Sequence, residues 1–212
     1  WIDYCVPQIY WEIGNKAADY KELITWWNCY ASNRPLYIGE DVLRTVKAAD
    51  PQNPNSHQLP AKHKLHEQCS NVQGTVLWYA AAVVNNPGNY AKLLQSNYWR
   101  YPALQPLMPF IDNKAPKKPR ALKVSWSDDG CLLHWKAPKG KGWENEAYKY
   151  VVYKFGPDEE IDLDNPMKIV AITYQTALRL NYNGGDTKYT YVVTALDRMS
   201  NESVGKKKKI KL

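Results

Sequence analysis

Gln8, Tyr10, Trp11 and Glu12 stand close together just after a short apolar run, Tyr4-Cys5-Val6-Pro7, with Ile9 among them. An amide, a phenol, an indole and a carboxylate in such company can orient a polar ligand, lie flat against an apolar ring face and move a proton. A second set follows in Gly39-Glu40-Asp41, and a third aromatic in Trp78. Glu40 comes after a glycine at the end of an apolar run, a position suited to an acid/base or ligand-binding carboxylate. Each candidate has a plainer competing role. Tyr10 and Trp11 could be core packing, Glu40 could face the macrodipole of a helix starting at Val42, and Asp41 could cap that helix.

Other clusters carry less. His63, His66 and Cys69 fall at i, i+3, i+6 on one helical face, a spacing zinc could use, but no fourth ligand is evident. We expect no metal and no cofactor. Asp128-Asp129-Gly130 reads as a hairpin turn, since a calcium loop needs more oxygens at alternating positions. The cysteines Cys5, Cys29, Cys69 and Cys131 form no CxxC pair and read as free thiols rather than a disulfide framework.

Composition sets further bounds. The 212 residues fit one large or two small domains. The 9 Trp and 16 Tyr against 2 Phe favour flat faces with a polar edge, which suit sugar rings as well as cores. The net charge of +7 sits largely in Lys117-Lys118 and in Lys206 to Lys209. These read as a linker and a solvated edge strand, so nucleic acid is not an expected partner. No apolar run approaches the roughly 20 residues that span a bilayer. The sequence begins at Trp1 without Met and reads as a piece of a longer protein, with any targeting segment upstream.

The elements that must hold these residues alternate. Residues 3–12 read as a buried strand ending at the turn Gly14-Asn15. Asn15 can cap a helix over Lys16 to Ala31, whose apolar face is Tyr20, Leu23, Ile24, Trp27 and Tyr30. Leu36-Tyr37-Ile38-Gly39 is a second strand, Ala49 to Pro60 a polar loop, and Ala61 to Ser70 a helix. Gly74 to Ala80 is a third strand, and a last helix begins at Tyr90 before an irregular apolar tail, Tyr101 to Phe110. Strands alternating with helices imply parallel strands joined by right-handed crossovers. Residues past the carboxyl ends of such strands form the ligand-binding face. After a Pro- and Lys-rich linker at residues 112–120 the pattern changes to short β-rich runs, Gly130 to Trp135, Tyr148 to Phe155, Met167 to Thr173, Ala177 to Tyr182 and Lys188 to Leu196. Turn signals separate them, which predicts an all-β sandwich over residues 121–212.

The second half resembles a fibronectin type III domain. The residues that carry this are Leu133-x-Trp135, Tyr150-x-Val152, Leu180, Tyr189-x-Tyr191-x-Val193-x-Ala195 and Asn201-Glu202-Ser203. Period-2 spacing puts Tyr189, Tyr191, Val193 and Ala195 on one inner face. The resemblance makes Tyr189 a corner tyrosine near Leu180 and the domain a spacer or docking module. Residues 1–111 look like the carboxyl-terminal part of the bacterial glycosyl-hydrolase-like family ten (β/α)8 barrels. The motifs are Asp3-Tyr4-x-Val6-Pro7-Gln8-Ile9-Tyr10-Trp11, Pro35-Leu36-Tyr37-Ile38-Gly39, Gly74-x-Val76 with Trp78, and Pro102-Ala103-Leu104-x-Pro106-x-Met108-Pro109. This resemblance implies an α/β fold, about the last three strand–helix units of a TIM barrel. It also implies a periplasmic or extracellular setting, such as a cell-surface lipoprotein.

The function implied is hydrolysis of O-glycosidic bonds in a polysaccharide. Glycoside hydrolysis uses two carboxylates across the scissile bond. Glu40 and Glu12 are the catalytic candidates here, and Gln8, Tyr10, Trp11, Asp41 and Trp78 are the substrate-binding ones. The family's pair of aspartates followed by aromatics is absent, so the main acid or nucleophile is expected in a missing amino-terminal part. The alternative is a non-catalytic carbohydrate- or protein-binding module. An incomplete barrel leaves open sheet edges and a bare apolar face, so the chain is expected to pair with another copy or with the missing half-barrel.

Overall fold

The computed structural model describes residues 2–31, 33–128, 130–140, 142, 146–182 and 184–212. Two compact units divide between Arg100 and Tyr101.

In the first unit the segment from Cys5 to Ile9 lies alongside β1 (Leu36–Asp41) through the parallel bridges Cys5↔Leu36 and Gln8↔Gly39. Gly39 N donates to Pro7 O and Ile9 N donates to Gly39 O, each at 2.9 Å. The segment is extended but not the regular strand expected over residues 3–12, because Pro7 has no N–H to give a ladder. Asp19 caps α1 (Tyr20–Tyr30) by accepting from Lys21 N at 2.8 Å. Asn15, the expected cap, instead closes a turn by accepting from Ala17 N and Ala18 N. Helix α1 therefore starts later than the sequence predicts.

After β1 comes the short helix α2 (Val42–Lys47). The expected loop at 49–60 contains a small antiparallel hairpin, β2 (Ala49–Asp50) and β3 (Asn53–His57). Helix α3 (Leu59–Gln68) leads to β4 (Val72–Trp78), which pairs with β1 in parallel. Helices α4 (Ala80–Val84) and α5 (Tyr90–Leu93) follow, and α5 runs on into a π-helical turn, Leu94–Tyr98.

The alternation of extended segments and helices is as expected. A partial barrel is not established. Among the described residues the sheets of this unit are two-stranded and not closed, and closing a barrel takes eight tilted strands.

Strand parity decides the core. Leu36 and Ile38 point to the helices and pack with Ile9, Tyr20, Ile24 and Cys69. Tyr37, Gly39 and Asp41 point the other way. Val42, Leu59, Ala82, Tyr90 and Leu94 form a second cluster under the later helices.

The second unit is the expected β-sandwich. Its strands are β5 (Arg120–Ser127), β6 (Gly130–Lys136), β7 (Lys149–Phe155), β8 (Ile169–Thr173), β9 (Ala177–Leu180), β10 (Lys188–Leu196) and β11 (Lys206–Lys211). One sheet has the order β5-β6-β9 and the other β11-β10-β7-β8. The inner faces bury Leu133, Trp135, Tyr150, Val152, Leu180, Tyr191, Val193 and Ala195, with half-buried Tyr189 packed against them.

Strands β7 and β10 are buried on the other face too. There Val151, Tyr153, Phe155, Val192 and Leu196 cluster, and Leu104 and Leu163 pack over them. The apolar tail after Arg100 thus packs on the second unit, and Asn201 Nδ2 donates to Asp112 O at 3.2 Å. Strand β11 forms the lysine-bearing edge that the sequence predicts. The turn residues Asp129 and Asn183 lie outside the described residues. No helix among the described residues is long and apolar enough to cross a membrane.

Glycine at 39 is a packing requirement. A Cβ there would stand 3.2 Å from Pro7 O and 3.3 Å from Gln8 Cα, both backbone atoms with little room to move. Gly39→Ala should lower stability by about 1–3 kcal/mol, read by urea denaturation followed through Trp fluorescence, since overpacking forces the backbone to shift.

Candidate functional site

Three chain segments end side by side. In the parallel register Gly39 stands opposite Val76 and Asp41 opposite Trp78, while Gln8 stands opposite Gly39 on the other edge of β1. Paired residues in parallel strands share a face. Gln8, Asp41 and Trp78 therefore emerge from the face turned away from the helices, at the carboxyl ends of their segments. Tyr37 lies on the same face, with Tyr4 edge-on to it at 5.8 Å. Gly74 makes room for the Tyr37 ring, since a Cβ at 74 would meet Tyr37 Cδ1 at 3.2 Å. Trp78 is 55% exposed, Val76 and Gln8 are exposed, and Tyr10 is half-buried. Trp11, just past this rim, is 37% exposed. The face is polar at its edge and aromatic across its middle.

Asp41 also serves as the helix cap that the sequence allows for. Its Oδ1 accepts from Arg44 N at 3.0 Å, and its Oδ2 lies 3.6 Å from Arg44 Nε. Glu12 is half-buried and accepts from Asn15 Nδ2 at 2.7 Å. That bond, helped by a backbone bond and the more distant Arg44 and Lys62, holds its carboxyl below the ordinary glutamate range.

Glu40 is set apart from these residues. One position from Asp41 on the strand, it points toward the helices and is 2% exposed. Tyr20 Oη donates to Glu40 Oε1 at 2.5 Å, and His66 Nε2 lies 3.0 Å from the same oxygen and 2.7 Å from Tyr20 Oη. A proton on His66 Nε2 satisfies both oxygens, so we assign it there, and the ring's Nδ1 faces Thr75 Oγ1 at 3.4 Å. Lys62, fully buried, donates from Nζ to Thr45 Oγ1 at 2.9 Å and lies 4.2 Å above the centre of the Tyr20 ring.

Burial opposes charge on Glu40, but the His66 bond, the Lys62 charge and the Tyr20 bond outweigh it and keep the carboxyl below its usual range. Burial lowers Lys62, with Glu40, Asp41 and Glu12 pulling the other way. Burial and then the Glu40 charge raise the Tyr20 phenol far above its ordinary value. The members of the histidine–cysteine set of α3 have separate partners, although the His63 and His66 rings stay 5.6 Å apart. His66 serves Glu40, His63 stacks on Tyr98 at 3.9 Å, and Cys69 is in the core.

Sequence reasoning missed Lys62 and Gln58, and it read Tyr20 as core packing and His66 only as part of a metal spacing rather than as partners of Glu40. Gln58 is buried. Its Oε1 accepts from Ile13 N at 2.7 Å and its Nε2 donates to Ile13 O and Ala49 O, so it ties the Glu12 end of the segment to the hairpin. A faint signal existed in α3, where Leu59, Lys62, His66 and Cys69 recur at helical spacing along one face. That is the inward face, so its polar members needed a buried partner.

Glu40→Gln should cost about 3–5 kcal/mol, because it leaves Lys62 without its counter-charge. In chemical denaturation the double change Glu40→Gln/Lys62→Met should cost less than the sum of the two single changes. Because the folded carboxyl is lowered, its contribution is present above the unfolded value of about 4.3 and disappears as pH falls through the folded one. The wild-type protein should therefore lose stability on acidification more steeply than Glu40→Gln.

Comparison with known proteins adds a relative. The chain is 35% identical over 213 aligned positions to a Bacillus subtilis (strain 168) protein named "Glycosyl hydrolase YngK". The match takes in 99% of this chain and 41% of that protein, so the chain spans well under half the relative's length. No family model matches. Among solved structures, a Fn3-like protein from Clostridium thermocellum is similar over 45% of this chain and 92% of its own, at 23% identity and a TM-score of 0.34. The Endo-D glycoside hydrolase domain from Streptococcus pneumoniae R6 is similar over 47% of this chain and 16% of its own, at 15% identity and a TM-score of 0.32.

Proposed function

We propose that the chain is the later part of a glycoside hydrolase, and that its first unit supplies one wall of a sugar-binding cleft. One observation carries this reading. The parallel register sets Gln8, Asp41 and Trp78 side by side at the carboxyl ends of three adjacent segments, the place where α/β proteins of this kind bind ligands. The name of the Bacillus relative supports the same reaction class.

In this reading Trp78 stacks on the apolar face of a sugar ring, with Tyr10 and Trp11 extending the aromatic wall. Gln8 and the free lone pairs of Asp41 bond ring hydroxyls. Glu12, half-buried one residue past Trp11, is the candidate for proton transfer. Glu40 is a positioning residue. Its buried bonds to Tyr20 and His66 fix the end of β1, and so fix where Asp41 and its neighbours project. The second catalytic carboxylate comes from the rest of a barrel that this unit completes. Exposed Tyr4, Val76 and Trp78, around half-buried Tyr37, support such pairing, since soluble proteins seldom leave a broad apolar patch bare.

A non-catalytic carbohydrate-binding module is the second reading. It is favoured by the placement of Glu40, which removes one of the chain's few strand-end carboxylates from reach of a ligand.

A panel of neutral and acidic oligosaccharides, titrated against the chain by Trp fluorescence, tests the cleft. Trp78→Ala should weaken binding about tenfold, the loss of roughly 1.4 kcal/mol of stacking. Release of reducing ends by a longer form of the protein tests the chemistry. Glu12→Gln should cut turnover there about 100-fold or more, the contribution of a general acid or base. Turnover unchanged by Glu12→Gln would favour the binding-module reading. An unaffected Trp78→Ala variant would remove both.

A further inference from the structure

The second unit carries a cluster that the cleft does not use. Tyr148 stands just before β7 and Tyr174 just after β8, with ring centres 5.2 Å apart and planes at 82°. Lys149 Nζ stands off both rings, 5.6 Å from the centre of Tyr148 and 5.5 Å from that of Tyr174. The Arg198 guanidinium lies 4.6 Å from the centre of Tyr148. Tyr148 is held from behind, since its N–H donates to Leu196 O at 2.7 Å. Its ring thus acts as a post that steadies two cations. Tyr174 is 60% exposed.

Asp197 and Glu202, the acids that flank this turn, are occupied elsewhere. Asp197, adjacent to Arg198, turns its carboxylate back to Met199 N at 2.8 Å, to Asn201 N at 2.9 Å and to Asn201 Nδ2 at 2.9 Å. Glu202 accepts from Tyr153 Oη at 2.7 Å and Thr194 Oγ1 at 2.5 Å. Among the described residues no ion pair involves Lys149 or Arg198. Two cations are therefore oriented against rings and, among the described residues, without an ion-pair partner. Such preorganisation lowers the ordering cost of binding.

We propose that Tyr148, Lys149, Tyr174 and Arg198 form a binding site for an acidic glycan, a chain of pyranose rings that carry carboxylates. The open Tyr174 ring takes the C–H face of one sugar. The guanidinium fork of Arg198 pairs with a carboxylate, and Lys149 adds a second charge-assisted bond. A free ring beside two fixed cations matches a uronate unit, which offers an apolar face and an anion within one residue. A polyanion without such faces would gain as much from the lysines of β11. The chain's net charge of +7 draws any acidic polymer in. The site belongs to the second unit alone and does not depend on the proposed hydrolase cleft.

Affinity electrophoresis of the whole chain through gels containing polygalacturonate tests it. Parallel gels contain fully methyl-esterified polygalacturonate, which keeps the rings and loses the charge. At about 0.15 M salt, where long-range attraction is screened, polygalacturonate should retard the protein and the ester should not. Arg198→Ala and Tyr174→Ala should each weaken the retardation about fivefold, as expected for one lost cationic or stacking contact. The double change Lys207→Ala/Lys209→Ala on β11, outside the site, should leave it unchanged. No retardation by polygalacturonate, equal retardation by the ester, or a loss in the β11 variant as large as in Arg198→Ala would each overturn the site.

Discussion

The alternation of side chains along β1 governs the first unit. One face of this strand is closed by α1 and α3, and the other is open. Leu36 and Ile38 go to the closed face and are fully buried. Glu40 has the same parity and goes with them. A carboxylate so placed has lost its water and must find donors or give up its charge. The fold supplies Tyr20 from α1 and His66 from α3, two polar partners on one carboxylate oxygen, and adds the buried charge of Lys62 from α3, whose own bond goes to Thr45. This arrangement is not cheap stability, because a buried ion network recovers little more than its desolvation cost. What it gives is specificity of position. The register of α1 and α3 against the end of β1 is fixed by bonds that no slipped arrangement could satisfy.

The open face follows from the same alternation. Its residues are Tyr37, Gly39 and Asp41, opposite Gly74, Val76 and Trp78. The two glycines are explained by closeness rather than by turns. At 39 the neighbouring segment's backbone occupies the space of a side chain, and at 74 the Tyr37 ring does. The result is a surface with its bulk concentrated in Tyr37 and Trp78 and its polar groups at the rim. Trp78 and Val76 on this face are exposed. The face differs from the outer face of the four-stranded sheet in the second unit, which Leu104 and Leu163 cover.

These contrasts show what could be read from the sequence. The alternation of extended segments and helices and the sandwich that follows it were legible because hydrophobic period and turn residues report them directly. The period-2 set Tyr189, Tyr191, Val193 and Ala195 on β10 lies on the inner face as predicted. The double-sided burial of β7 and β10 was hidden, because a covering loop leaves no periodicity of its own. The choice between Glu40 and Asp41 was hidden as well. Two adjacent carboxylates at a strand end look alike in sequence, and only the helices' position decides which one loses water. Asn15 and Asp19 posed a similar ambiguity. Both are good caps, and Asp19 wins because the apolar face of α1 begins at Tyr20. Lys62 was illegible for a stronger reason: a lysine on a helix is nearly always solvated, and nothing local marks the exception.

Charge is distributed in the second unit on a principle different from that in the first. On β11 the lysines point into solvent from an edge strand, where mutual repulsion discourages another strand from adding on. That work needs charge but no geometry, and long flexible stems suit it. Around Tyr148 the cations rest against aromatic rings, and Asp197 and Glu202 face other partners. If repulsion were all that mattered there, neither the rings nor the diverted carboxylates would be needed. Holding a cation over a ring restricts a mobile side chain, a cost of up to about 2 kcal/mol in rotamer freedom. Such an arrangement gives little to the stability of an exposed surface. The order that a folded surface maintains against this entropy is better suited to recognition than to solubility. That difference in order, not the sign of the charge, separates the two basic regions.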